Sequence, residues 1–488
     1  MVAPFSFNQP GPLIYAQNGT LIWDGSEFTV PLNGQDLTIC PINGTDHLCF
    51  VDAFQENGYA RGNGLILDNT YKVVEIVHSG NGAPAEDQHE FFVKSPGTTV
   101  LITIYNQVAD DTTSVPGVTN VTEGMFQEIN LHTGAVLFEW RSLQWVPTNE
   151  SYVLPNTTDI SGQGNSNSGW DYFHINSVDK DSLGNYLISA RHTKAIYYIS
   201  GQDGHIIWSL GGKSSNFAMN YQFNFQHHAR FRAGTTASPI ISLYDDGSDD
   251  SPPALGTTKP GYEAYSSGIV ALVNTTTNAS TIVERYVSPG YQLSESQGNL
   301  QYLPNNNRFM GMGNVPYMVE FTNNATGDGQ VVYYASMSIG ESYRMFKFPW
   351  TAHPATPPSV FSYAHNCSAQ TVVYASWNGA TEVATWRVKT SYTANGGFRR
   401  ALQAHKTGFE TQIIVPRYEH YVMVEALDVN GTVLGKSNST STFVPAASIA
   451  ATCSALACAT GTNYTRANTR ANTTACANKV RSMQMLRE

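Results

Sequence analysis

His89-Glu-Phe-Phe-Val leads to Val100-Leu-Ile-Thr-Ile-Tyr105, and His174-Ile-Asn-Ser-Val leads to Tyr186-Leu-Ile-Ser-Ala-Arg191. His227-His-Ala-Arg-Phe leads to Pro239-Ile-Ile-Ser-Leu-Tyr244, and Gly298-Asn-Leu-Gln-Tyr leads to Arg308-Phe-Met-Gly-Met-Gly313. Each is an apolar strand, a turn or short loop rich in Gly or Asn, and a second apolar strand. Strand-rich units repeated on this scale predict the blades of a β-propeller. A residue that recurs at one place in several blades falls on a ring around the axis. His89, His174, His227 and Gly298 hold that place, so three of the four ring candidates are histidines.

Outer blade strands have their own pattern: an alternating apolar strand, a tight turn, and a strand ending in an aromatic. Leu13 to Trp23, Phe126 to Trp140 and Ile196 to Trp208 follow it. Asn18-Gly19 and Asp203-Gly204 are strong hairpin signals, because Gly best tolerates the positive φ that a two-residue turn requires. Five or six such units are counted by about residue 350, and helical periodicity is essentially absent. At Pro349 to Pro358 the chain becomes Pro-rich, which predicts a linker. Val372 to Val388 and Tyr418 to Leu427 then resemble the strand–turn–strand core and later hairpin of a fibronectin type III sandwich. The expected organisation is a propeller over 1–350, a sandwich over 351–445 and a Cys-containing tail over 446–488.

Charged residues make up 13% of the 488 residues and the net charge is −11. An average soluble protein is about 25% charged. Nucleic-acid binding is disfavoured, because phosphate contacts need clustered Lys and Arg, and no basic run precedes the tail. Asn-x-Ser/Thr occurs thirteen times, including Asn18, Asn43, Asn120, Asn156, Asn274, Asn324 and Asn430. Six cysteines fit an oxidising compartment. Cys40 and Cys49 flank an Asn-Gly turn and are expected to pair, while Cys367, Cys453, Cys458 and Cys476 allow three pairings. No CxxC occurs, so a zinc or thioredoxin site is not expected. The apolar runs are of strand length, so no membrane span is expected. The first twenty residues lack a signal pattern, and the chain reads as a mature, N-glycosylated secretory protein.

Asp171 to His192, Ile207 to Gly212, Phe225 to Phe231 and Ser376 to Trp386 resemble fungal arylsulfotransferase-like proteins. The resemblance extends over most of residues 10–445. It implies a six-bladed propeller and no cofactor. Bacterial cousins of the family move sulfate between phenols through a histidine and use an arginine after an inner strand. Some fungal members resemble hetero-Diels–Alderases, which join a tropolone quinone methide to humulene.

Three residues are offered as catalytic: His174, His227 and Arg191. For Arg191 a salt bridge to Asp171 or Asp179 is an equal alternative. His89, Trp170, Phe173, Tyr244, Asp245, Gly298, Met310 and Met312 are offered as substrate-binding, with packing in the core as the alternative for the aromatic and methionine side chains. His228 is expected to turn away from His227 by strand alternation. Asp245 to Asp250 looks faintly like a calcium loop and is read as a solvated loop, so no metal is expected. Asp245 also stands where a sulfuryl group would want a cation, and Gly298 interrupts the ring. The first functional expectation is therefore a pericyclase of natural-product biosynthesis, with phenolic or tropolone and terpene substrates and a histidine donating a proton near neutral pH. An aryl sulfotransferase and a non-enzymatic binding propeller are the alternatives.

Overall fold

Period-2 patterning with frequent Gly- and Asn-containing turns gives an almost entirely β structure, seen in a computed structural model. It describes residues 1–5, 11–29, 33–56, 58–110, 113, 115–156, 161–248, 264–323, 329–337 and 340–446. These fall into two compact units. One is Met1–Ile14 with Asp24–Pro349; the other is Tyr15–Trp23 with the residues from Trp350 onward. Cys453, Cys458 and Cys476, and the expected tail from residue 447 onward, lie outside the described residues.

The first unit is a succession of antiparallel meanders, the arrangement of a β-propeller. One sheet contains Asn33–Ile42, Thr45–Gln55, Ala60–Leu67 and Val73–Val77. The next contains Asp87–Val93, Thr99–Ala109, Asn120–Asn130 and Val136–Arg141. It is followed by Ile175–Lys180, Tyr186–Ala190, Ala195–Ile199 and Ile206–Gly211. Then come His227–Thr235, Ser238–Asp245, Ser267–Asn274 and Ala279–Val287. Asn299–Tyr302, Arg308–Gly311, Tyr317–Phe321 and Val331–Ser336 form the sheet after that. Glu341–Met345 pairs with Val2–Phe5, joining the two ends of the unit. All four quoted repeats are the first two strands of successive sheets. Asp203-Gly204 forms its turn with Gly204 at φ 82°, and Cys40–Cys49 is a disulfide with Cα atoms 5.9 Å apart.

Facing sheets bury aromatic layers between them. Trp140, Trp170, Phe173, Tyr186 and Tyr197 share one core cluster; Tyr244, Met310 and Met312 share another with Val270 and Val319. In the second unit, Ser359–Tyr363, Thr371–Ser376 and Glu410–Val415 form one sheet. Arg399–His405, Thr385–Ser391, Tyr421–Leu427 and Val433–Lys436 form the other. The two share a core around Trp386, Val373, Val388 and Val424.

An ionic hub lies in the middle of the first unit. Arg344 donates through Nη1 to Asp36 Oδ2 at 2.9 Å and to Glu90 Oε1 at 2.8 Å. Its Nη2 donates to the carbonyls of His89 and Asn176, each at 2.8 Å. Arg230 joins the same Glu90 at 2.8 Å. These partners sit on the first strands of successive sheets, so Arg344 ties its own sheet to three others, and Arg230 brings in a fifth through Glu90. Burial acts against its charge, but Asp36 and Glu90 raise the Arg344 pKa above the usual range. Arg344→Met would leave two buried carboxylates with one cation. Removing a partner from a buried ion pair costs about 3–5 kcal/mol, so the variant should show a lowered denaturation midpoint of the first unit, read by chemical unfolding.

Candidate functional site

The first strands of four sheets carry an irregularity at the same place. The register shifts between Gln35 and Thr38, Asp87 and Phe91, Ile175 and Ser177, and His227 and Arg230. Bulges of this kind re-aim side chains at the rim of a barrel or propeller. His228 takes a positive φ of 55° within the last of these shifts, and His174, also at 55°, immediately precedes its strand. His228, expected to turn away from His227, is buried with its ring against Phe346 at 5.7 Å.

The bulges bring His89, His174 and His227 together with two tyrosines and a fourth histidine. The ring centroids of His89 and His174 are 4.8 Å apart, and His192 lies 4.6 Å from His174. Tyr343 bridges His89 at 5.0 Å and His227 at 6.1 Å. Tyr105 contacts His89 at 5.3 Å and His174 at 5.5 Å.

Each of the three histidines is held by its own carboxylate. His89 Nδ1 is 2.5 Å from Asp87 Oδ1, His174 Nδ1 is 2.6 Å from Asp171 Oδ2, and His227 Nδ1 is 2.7 Å from Asp246 Oδ2. A carboxylate accepts, so each Nδ1 carries a proton, and in a neutral ring Nε2 keeps the lone pair. Asp171 also accepts the His174 backbone N–H at 2.9 Å, and Asp87 accepts that of His89 at 2.8 Å. Two orienting aspartates thus lie two or three residues before their histidine, a signal present in the sequence. Asp246 lies nineteen residues from its partner and becomes a neighbour only because Tyr244 pairs with His227.

Burial is the main cause that holds His174, His192 and His227 well below the usual histidine range. Next come His89 for His174, His174 for His192 and Arg191 for His227. Burial pushes Asp171 up to about 6, against His192, the His174 N–H, His89 and Arg191. Near neutral pH these three imidazoles are therefore neutral, which leaves His174 and His227 as bases or nucleophiles. That corrects the expectation of a histidine poised to give up a proton.

Arg191 is fully buried, with its guanidinium stacked 4.0 Å over Phe225. It donates to His192 Nε2 at 3.0 Å and to the Glu295 carbonyl at 3.3 Å. Asp179 pairs instead with Lys94 at 2.9 Å. In the stretch read as a solvated loop, Asp245, Asp246 and Ser248 are buried, while Asp249 and Asp250 lie outside the described residues. Asp245 accepts from the backbone N–H groups of Asn224 and Gly247 and lies 3.7 Å from Arg285, so it belongs to a structural turn. Trp170, Phe173, Tyr244, Met310 and Met312 lie in the inter-sheet cores. Gly298, at φ 96°, accepts no side chain: a Cβ would come within 2.5 Å of the Tyr244 ring. Its N–H donates to the Tyr343 carbonyl at 2.9 Å, and Tyr343 supplies the aromatic ring beside the histidines. Tyr105, His192 and Tyr343, absent from the expected site, belong to it.

Among the described residues, Asp171, His174 and His192 also form a group with ligand atoms within 4.8 Å of one another. Their donor atoms are engaged internally. Besides the Asp171–His174 contact, His192 Nδ1 donates to the Asp171 carbonyl at 2.6 Å, and Arg191 occupies His192 Nε2. The group is a hydrogen-bonded network with a cation already on its edge.

A family profile for arylsulfotransferase (ASST) matches residues 43–333, which contain every histidine of this cluster. The chain belongs to the arylsulfotransferase family. No curated protein matches it. Among solved structures, it is similar to a Bacteroides caccae protein of unknown function at 11% identity, covering 70% of this chain and 96% of that one, with a TM-score of 0.38. The periplasmic gluconolactonase of Pseudomonas aeruginosa gives 11% identity, the same coverage and a TM-score of 0.37. A GH43 protein mutant of Bacillus licheniformis gives 8% identity over 84% of this chain and 89% of that one, with a TM-score of 0.31. Likeness at this level says nothing about activity.

The neutral state of the cluster is directly measurable. The histidine pKa values are lowered, so protonation sets in only below the ordinary value of 6.5. Nitrogen-detected spectra of 15N-histidine protein, taken from about pH 8 to about pH 6, should keep His174, His192 and His227 as Nδ1–H tautomers. An imidazolium signature from any of them above pH 6.5 would contradict the assignment.

Proposed function

We propose that this protein transfers a sulfuryl group between phenolic oxygens through a histidine. The observation that carries this reading is the set of three Asp–His pairs gathered beside Tyr105 and Tyr343, with burial holding the imidazoles of His174 and His227 neutral. Family membership supports it. The objection raised by Asp245 falls away, because that carboxylate is bound to Asn224, Gly247 and Arg285.

His174 is the favoured nucleophile, since it lies between His89, His192 and Tyr105. Its Nε2 lone pair attacks sulfur, the N–S bond forms, and the ester S–O bond breaks with its electron pair leaving on the phenolate. Asp171 stabilises the positive charge that develops on the ring through the Nδ1–H. In the second half the acceptor phenol attacks sulfur, the N–S bond breaks, and its pair returns to Nε2. The Nε2 lone pair of His227 takes the acceptor's proton, which then passes to the departed phenolate.

A second reading, a hetero-Diels–Alderase joining a quinone methide to humulene, has one observation in its favour. The cations nearest the cluster are already engaged, Arg191 with His192 and Arg344 with Asp36 and Glu90. Three sulfuryl oxygens want cationic donors; a pericyclic reaction does not. Against it, the residues offered for an apolar pocket pack in cores, and the neutral histidines do not supply an acid.

Incubation with an aryl sulfate and a phenol, followed by mass analysis of products and peptides, separates the two. Sulfated product and a modified His174 peptide are expected, with His174→Ala abolishing both. Asp246→Asn should lower kcat by roughly 10²–10⁴-fold, the usual worth of a positioned acid–base group, with little change in KM. Unmodified protein and no sulfated product would overturn the transfer reading.

We also infer that the sheets of the first unit, with Glu341–Met345 and Val2–Phe5 counted as part of one, are six blades. The three-plus-four strand order from Ser359 to Lys436 supports a fibronectin type III-like sandwich. A secretory route is the proposed localisation, supported by exposed sequons at Asn18, Asn43 and Asn430. Secretory expression should give a mass that falls on enzymatic deglycosylation; an unchanged mass would count against the route.

A further inference from the structure

We propose that Asn43 carries an N-linked glycan whose first sugar seats in the cleft beside it, an assignment that rests on the secretory route above. Asn43-Gly-Thr45 forms the turn between the strands Asn33–Ile42 and Thr45–Gln55. The attachment takes a lipid diphosphate-linked oligosaccharide as co-reactant. Asn43 Nδ2 attacks the sugar C1 and the N–C1 bond forms. The C1–O bond breaks with its electron pair leaving on the diphosphate, and the amide proton goes to a base of the transferring enzyme.

Asn43 is exposed and lines a cleft of 430 Å³. Ligand pockets run from about 300 to about 1,000 Å³, so a sugar ring fits. Ile42, Val74 and Leu131 give the cleft an apolar side, and His47, Glu75 and His132 give it polar groups. That mixture matches a pyranose, which has C–H faces and a rim of hydroxyls. The point of attachment is fixed. Asn43 takes φ 51°, its N–H donates to the Pro96 carbonyl at 3.0 Å, and the Cys40–Cys49 disulfide staples the same hairpin. A sugar tethered there meets the cleft at a high effective concentration, so weak contacts suffice to seat it.

An apolar edge strand contributes to the cleft. Among the described residues, Val73–Val77 ends its sheet and pairs on one side, with Ala60–Leu67. Its Val73, Val74 and Ile76 are 39%, 48% and 47% exposed. An open apolar edge is a template for pairing with another chain. A sugar seated against Val74 covers part of that edge with hydroxyls. Asn430-Gly-Thr432 supplies the contrast within the same chain: the same three residues, in an exposed turn next to Val429, which is 86% exposed.

Native deglycosylation of the secreted full chain tests this. The folded protein is treated with peptide N-glycosidase, and release at each site is followed by the Asn-to-Asp mass change of its peptide. A seated sugar is open to the enzyme only in the fraction of time it spends out of the cleft. Release at Asn43 should therefore be roughly tenfold or more slower than at Asn430, and denaturation should abolish the difference. Val74→Arg fills the cleft from an exposed position, and a thermal melt verifies its folding. It should bring release at Asn43 up to the rate at Asn430. Three results would each overturn the seat: a bare Asn43 beside a modified Asn430, equal native rates at the two sites, or a rate at Asn43 unmoved by Val74→Arg. In all three the secretory route stands, because Asn430 carries sugar. Sugar at no sequon would overturn the route and the seat together.

Discussion

The first unit depends on one buried guanidinium. Arg344 is 1% exposed, and an uncompensated cation there would be far too costly to keep. Its compensation comes from Asp36, Glu90 and two backbone carbonyls on separate sheets. Glu90 is doubly used, because Arg230 and the Val178 N–H bind it as well. The inner strands must therefore arrive at one place in one register. A slip of one residue would turn these side chains to the other face and leave charges unpaired. A buried ion pair is weak evidence for net stability but good evidence for a specified geometry.

The same inner strands carry the chemistry. His89 and His227 stand at register shifts of these strands and His174 just ahead of one, and the three converge. Burial then keeps His174 and His227 neutral, and the aspartates behind the rings fix which nitrogen is available. The two effects act in different ways. Desolvation disfavours the charged ring, while Asp87, Asp171 and Asp246 orient it and stand ready to stabilise charge that develops during reaction. A site built like this favours a nucleophile over a resting acid. Tyr105 and Tyr343, both buried, pack their rings against these imidazoles.

Local pattern revealed the strands, and with them the ring. The four repeats gave the paired inner strands because β alternation and turn residues are written within a few residues of one another. The histidine positions followed from repetition alone. The core roles of Trp170, Phe173, Tyr244, Met310 and Met312 were left undivided from site roles, since an apolar residue on an inner strand can face a neighbouring sheet or a pocket and the sequence carries no mark of which. Gly298 looked like a gap in the ring. In the folded protein it is a close approach beside Tyr244, and Tyr343 from a distant strand stands next to the histidines.

By itself the sequence determined the all-β class, the hairpins, the change at Pro349 to Pro358, the Cys40–Cys49 pair and the three ring histidines. Each follows from spacing or composition over short range. Only the tertiary structure decided that Asp246 serves His227 while its neighbour Asp245 does not, that His192 and Tyr343 join the cluster, and that Arg344 sits at its base. Those contacts join residues tens to hundreds of positions apart. Their partners are chosen by strand register and by the cost of leaving a buried polar group unpaired, and neither is visible until the sheets are in place.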